Sequence, residues 1–316
     1  MFKALLSSAP WWAWLGFHLL VLFMLALDLG LFNRKAHAPG WREAAGWSAA
    51  WILLSLIFNG TIWATMGGPK AAEFCTGYLL EKSLSVDNLF VFVLLFTAFG
   101  VPVRNQHRIL YWGVLGAMIL RAGMIACGIT LLNRFSWMVF LFGGFLVYTG
   151  VKMLVFRARE PADPRRGVIV WLFQRVVPFD PDGGYERFWV VREHRRFATP
   201  MLLLLVLVEA TDLLFAVDSI PAVLAVTRDP FIVYTSNIFA ILGLRSLYFL
   251  LARMVDRFHL LKVGLAVVLA FVGVKMCLAR WVEVPILVSL LVIILVLMTC
   301  MAGSLFWPET EGGASR

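Results

Sequence analysis

The chain has 316 residues, 61% hydrophobic and only 15% charged, with a mean hydropathy of +0.85. That balance excludes an ordinary soluble domain. It also excludes a barrel, because the apolar runs reach about twenty residues rather than ten alternating ones. The net charge of +9 gives no ground for nucleic-acid binding, since most Arg and Lys lie in short loops where membrane topology accounts for them.

The expected class is therefore all-α: a polytopic helical membrane protein with nine spans. They fall at 10–32, 46–66, 74–98, 109–132, 136–156, 199–224, 231–252, 259–281 and 285–307. The first run is too long for a signal-peptide core and is followed by Asn33-Arg34-Lys35, so it is expected to stay as a membrane helix. With the N-terminus outside, the inner segments carry 18 Lys and Arg and the outer segments 5. This favours a cytoplasmic C-terminus. The four cysteines, Cys75, Cys127, Cys277 and Cys300, form no Cys-x-x-Cys pair and read as core thiols.

The one long loop, 157–198, contains nine Arg. Its 165–177 stretch mixes Arg with Val, Ile, Trp, Leu and Phe, a pattern suited to an amphipathic helix on the inner membrane surface. Asp180-Pro181-Asp182-Gly183-Gly184 is a turn signal. It resembles the start of a calcium loop, but Val191 stands where the closing Glu would be. The basic, aromatic stretch 185–197 suits contact with anionic lipid.

Two stretches carry acids inside apolar runs. Glu209, Asp212 and Asp218 lie within Glu209-Ala-Thr-Asp-Leu-Leu-Phe-Ala-Val-Asp-Ser-Ile-Pro221. Glu81 and Asp87 lie within Glu81-Lys-Ser-Leu-Ser-Val-Asp-Asn88. Glu81 and Asp87 are six apart, as are Asp212 and Asp218. Further echoes follow in the same order. Arg121 in one span matches Arg245 in another, and Gly150-Val-Lys152-Met matches Gly273-Val-Lys275-Met. The offsets are 131, 124 and 123 residues. Three helices per repeat is an odd number, so the two copies must insert upside-down to each other. Inverted repeats are a recurring transporter plan, with the ion site near the midplane at their interface. The expected units are 1–73 (two helices), 74–156 (first repeat), 157–198 (loop), 199–281 (second repeat) and 282–316 (last helix and tail).

Acids at bilayer depth normally face a protein interior or a watery path. On an ideal helix Glu81, Ser85 and Asn88 share a face, and so do Glu209, Asp212 and Ser219. Pro221 removes one helical hydrogen bond, which predicts a break at 217–221 that frees the Val217 carbonyl beside Asp218. The candidate ligands are all oxygen donors: Glu81, Asp87, Asn88, Glu209, Asp212, Asp218 and Ser219, with Ser85 and Asn237 in support. Such a set suits Mg²⁺, Ca²⁺ or Mn²⁺. Arg121 and Arg245 read as partners that hold carboxylates. The blander alternative is that some of the acids are only buried ion pairs. Lys152 and Lys275 stand near span ends, where they can snorkel.

At these motifs the sequence resembles the TerC family of integral membrane proteins, in its Alx-type branch. The residues that carry the resemblance are 76–88, 208–212, 215–221 and 235–245. The resemblance implies a bacterial inner-membrane protein that exports manganese, coupled to protons and linked by family to tellurite resistance. It also implies that the acids of both repeats are the cation ligands. No cofactor is expected, and the partners are membrane lipid and the transported cation. The alternative is a membrane scaffold or assembly factor in an envelope stress response, acting through the basic loop. An enzyme is not expected, because no His-Glu-x-x-His, Gly-x-Ser-x-Gly or Cys–His set occurs.

Overall fold

The computed structural model describes residues 9–30, 41–135, 137–155, 165, 167–192, 195–251, 260–279, 281–282 and 284–306. Five helices come first: α1 (Trp11–Gly30), α2 (Trp41–Met66), α3 (Gly68–Ala98), α4 (Val103–Arg134) and α5 (Met138–Val155). A short helix α6 (Val168–Val176) and a hairpin of β1 (Trp189–Arg192) and β2 (Arg195–Ala198) form the central loop. Then come α7 (Pro200–Leu224), α8 (Pro230–Leu242), α9 (Leu244–Leu251), α10 (Leu261–Leu278) and α11 (Ile286–Phe306). Counting α8–α9 as one crossing, the described residues contain nine membrane-scale crossings, each overlapping a span expected from the sequence. Six helices pass on length and apolarity alone. The charge-bearing α3 is not among them.

Local chemistry sets the boundaries. Pro200 and Pro230 open α7 and α8 at positions where the missing N–H costs nothing. Asp229 caps α8 by accepting from the Phe231 and Ile232 N–H groups at 3.1 and 3.4 Å. At the end of α3, Gly100 takes φ +63°, and Val101 N–H reaches back to the Phe96 carbonyl at 2.9 Å. That is a left-handed helix stop which a side chain would strain.

All thirteen residues of α8 are buried, as expected of a helix apolar on every side. It packs on α3 and α4, while α7 packs on the same two helices. Aromatic rings from α1 and α2 seal its outer side: Phe17 meets Phe58, Phe231 and Phe239, and Trp14 meets Phe231.

The helix pairings come in exchange pairs. Swapping α3-α4-α5 for α7-α8-α10 turns α3 on α8 into α4 on α7 and leaves α5 on α10 unchanged. The detail of the α5–α10 crossing follows the same rule. A Cβ added at Gly150 would meet the Ala266 carbonyl at 2.6 Å, and one added at Gly273 would meet the Gly143 carbonyl at 2.7 Å. Residues 150 and 273 are 123 apart, and so are 143 and 266. The offset read from the Gly-Val-Lys-Met echo therefore maps one contact onto the other.

One expectation is corrected here. Helix α7 runs unbroken through Pro221 to Leu224. The proline is buried, and neighbouring packing holds the turn despite the one missing bond. The interruption lies instead at Gly243, between α8 and α9. There the Lys82 ammonium donates to the Ala240 carbonyl at 3.2 Å, a cation placed at a helix C-terminus. A Cβ at Gly243 would lie 2.7 Å from Lys82 Nζ and 3.2 Å from Trp51 Cβ, so this glycine makes room for both.

The central loop is tied to the α3–α4 turn. Tyr185 donates to the Phe99 carbonyl at 2.5 Å, and Arg108 donates to the Glu186 carbonyl at 2.6 Å. Burial pushes the Tyr185 phenol above its ordinary value, with Arg165 opposing, so it remains a donor at neutral pH. Asp180–Gly184 is a turn, with the Asp182 N–H donating to Asp180 Oδ1 at 3.1 Å.

Gly273→Leu is expected to force α5 and α10 apart and destabilise the fold by about 1–3 kcal/mol, the usual range for overpacking. A thermal-shift measurement in detergent checks this. Gly144→Ala, where nothing lies within 4 Å of an added Cβ, should leave the midpoint unchanged.

Candidate cation site

The centre of the bundle is a closed set of polar side chains. Arg121, from the middle of α4, is fully buried. Its Nε and Nη2 donate to Asp212 Oδ2 and Oδ1 of α7 at 3.0 and 2.7 Å. Its Nη1 donates to Glu81 of α3 and to Asn237 Oδ1 of α8, the latter at 3.0 Å. Asn237 Nδ2 closes the ring by donating to the second Glu81 oxygen at 2.9 Å. One guanidinium thus ties four helices together. Its grip on Asp212 is the two-pronged fork that suits a carboxylate.

Small residues on α4 make this approach possible. A Cβ at Gly113 would sit 3.1 Å from Val208 Cγ1, and one at Gly116 would overlap the Glu209 carboxyl. Glu209 lies half-buried against Gly116, and its Oε2 is buried with no hydrogen-bond partner.

Farther along α7 the chemistry opens onto a cavity of about 330 Å³ walled by α3, α5, α7 and α10. Its polar lining is Asn88, Thr149, Lys152, Asp218 and Ser219, with leucines between them. Thr149 donates to Asp218 Oδ1 at 3.4 Å, a long contact. Ser219 Oγ, and Ser85 Oγ on the neighbouring face of α3, are buried without partners.

The residues singled out in the sequence thus divide into three places. Glu81, Asp212, Arg121 and Asn237 form the ion-paired centre. Asn88, Asp218 and Ser219 face the cavity. Glu209, half-buried, and Ser85, fully buried, lie between helices, each with a buried oxygen left over. Arg245 is buried at the start of α9, just after the Gly243 interruption. Of Asp87 the helical backbone is described but the side chain lies outside the described residues. Sequence reasoning missed Thr149 as a cavity residue. It neighbours the Gly150 echo, and that is the signal that could have found it. Lys152 is exposed, yet it stands on the cavity wall one turn from Thr149. Lys275, at the matching position, donates instead to Ser289 of α11 at 2.7 Å.

The fit to a cation is uneven. Among the described residues no three His, Cys, Asp or Glu side chains gather to hold a metal ion. Arg121 already occupies Glu81 and Asp212. The ligand groups the cavity offers are oxygen donors, in keeping with a hard divalent ion, and the Lys152 ammonium shares its wall. The orphaned Ser219 hydroxyl is a buried polar group of the kind that takes a water or an ion as partner.

Residues 66–311 match the description Integral membrane protein TerC family. The chain belongs to this family. Among its relatives, an uncharacterized membrane protein of Myxococcus xanthus is 53% identical over 280 residues, covering 89% of this chain and 88% of that one. The Escherichia coli K12 protein named "Putative membrane-bound redox modulator Alx" is 48% identical over 286 residues, covering 88% and 89%. A Rickettsia bellii membrane protein is 37% identical over 286 residues, covering 90% and 94%. No solved structure matches. The TerC match takes in every residue of the ion-paired centre and of the cavity.

Removing one partner of a buried pair leaves the other charge uncompensated. Arg121→Ala should therefore destabilise this TerC protein by about 3–5 kcal/mol. Arg121→Lys should recover little of the loss, because an ammonium cannot make the forked contact. Denaturant unfolding in mixed micelles measures both, and Arg134→Ala at the exposed end of α4 serves as the neutral control.

Proposed function

We propose that this chain is a secondary transporter that exports a divalent metal cation, Mn²⁺, across the bacterial inner membrane, coupled to protons. The triplets within 74–156 and 199–281 act as its inverted repeats, and the N-terminus lies outside. The observation that carries this reading is the cavity beside Asp218. It is a solvent-sized space inside a membrane bundle, lined by a carboxylate, an amide and two hydroxyls, with the exposed Lys152 ammonium on its wall. Oxygen donors without a thiolate or imidazole suit Mn²⁺. Loose ligation also suits a passing cargo, which must leave as readily as it enters.

The ion-paired centre refines the ligand set. Asp218, Asn88 and Ser219 are the first residues the cargo meets, and Asp87, next in sequence to Asn88, is kept in the proposed set on its place in the acidic motif. Glu81 and Asp212 become ligands only if Arg121 releases them. Glu209 is suited to proton coupling, because a buried carboxylate oxygen without a partner is costly unless a proton or cation joins it. The four cysteines, the only ones in the chain, are free and lie in α3, α4, α10 and α11. They offer no neighbouring dithiol for direct redox chemistry.

Everted membrane vesicles loaded with a Mn²⁺-sensitive dye test the proposal under an imposed pH gradient. Asp218→Asn and Asp87→Asn should each slow Mn²⁺ uptake by roughly tenfold or more, the scale on which lost metal contacts are felt. Undiminished uptake at equal protein levels would sink the reading.

A further inference from the structure

Helix α6 has two apolar sides. Val170 and Phe173 face the protein, where Phe173 meets the Phe179 ring edge-on at 6.1 Å. On the opposite side Val168, Trp171, Leu172 and Val176 are 78, 58, 52 and 71% exposed. At about 100° per residue these four fall in one continuous stripe, with Arg175 among them. A helix that is apolar on both sides is not a solvated surface helix. Nor does it hang free. The loop that carries it is held to the α3–α4 turn by Tyr185 and Arg108, and α6 itself packs on α7.

The surroundings say what covers the stripe. The Arg175 guanidinium lies 5.4 Å over the Trp171 ring, a long side chain running along the apolar surface of the stripe. Arg165, Arg187, Arg195 and Arg196 are exposed in the same loop. Of the acids described in this region, Asp180 pairs with Arg192 at 2.8 Å and Glu186 with Arg104 at 3.3 Å, while Asp182 is exposed. Trp189 and Val191, two apart on β1, add exposed apolar surface next to Arg196, the cross-strand partner of Val191. An exposed apolar stripe in a loop rich in exposed arginines complements the boundary of an anionic leaflet.

We propose that α6 and the hairpin form a lipid-docking face. Val168, Trp171, Leu172 and Val176 sink to the headgroup–acyl boundary of the membrane that holds the chain. Arg175 and the hairpin arginines lie on the phosphates of its anionic phospholipids. This assignment is independent of what the bundle transports.

The test places an environment-sensitive fluorophore at Leu172→Cys in the full chain, with Cys75, Cys127, Cys277 and Cys300 replaced by Ala. The chain is held one copy per nanodisc. With phosphatidylglycerol present, a shallow spin-labelled lipid is expected to quench the probe and aqueous iodide to leave it bright. In phosphatidylcholine alone, the lipid quenching should fall by about twofold, in keeping with the electrostatic share of such binding. Iodide quenching in both lipids overturns the proposal, as does protection from both quenchers, which would mean that another part of the chain covers α6. Protection that appears only with two copies per disc assigns the face to a second copy and also overturns it. Equal lipid quenching with and without phosphatidylglycerol overturns the anionic preference. If the cysteine-free chain fails to fold, the native chain and Trp171→Phe are compared in brominated lipid. Loss of the quenched component in the variant supports insertion of Trp171, and unchanged quenching overturns it.

Discussion

The arrangement of the bundle depends on how one guanidinium is neutralised. Arg121 has no route to water, and an unpaired charge in that setting costs several kcal/mol. Asp212, Glu81 and Asn237 therefore have to arrive together, each on a different helix. That requirement fixes the height and rotation of α3, α7 and α8 relative to α4. It explains why α8 is buried along its whole length, since Asn237 can reach the centre only from inside. It explains the glycines of α4, without which α7 could not come close enough for the forked contact. Two carboxylates against one guanidinium also leave the centre with excess negative charge when all three are ionised. Asp218 lies six residues farther along α7, about 9 Å along the axis. The cavity thus opens beside a region that already favours cations.

Much of this was legible in the residue pattern. Runs of about twenty apolar residues located every crossing, because a bilayer leaves helices little freedom in length. Acids in such runs stand out by their cost, so the residues of the centre and the cavity could be named before their positions were known. What spacing could not supply was their division. Whether Glu81 belongs to a cation or to Arg121 depends on where a helix forty residues away comes to rest. Glu81 and Asp212 hold matching places in the two stretches, and the same Arg121 claims both.

Backbone breaks were misjudged for a related reason. Pro221 removes one hydrogen bond, yet α7 stays helical through it to Leu224, where α4 packs closely at Gly128. Gly243 removes no bond at all. It marks the interruption because Lys82 and Trp51 crowd the space a side chain would fill. A rule about residue type predicted the first, and only the packing reveals the second. Lys82, next in sequence to Glu81, serves a different face of α3, as its position one residue on requires.

The crossing of α5 and α10 has a mechanical consequence. At Gly143 and Gly273, and again at Gly150 and Ala266, backbone rests directly on backbone. Side chains can change rotamer and let helices slip past one another, but two peptide planes in contact have no such freedom. The pair therefore behaves as a single stiff beam. It carries Thr149 and Lys152 on one helix and two cavity leucines on the other. Any motion that opens or shuts the space beside Asp218 must swing this beam whole against α3 and α7, and its two contact points, matched by the same offset, are where the load would fall.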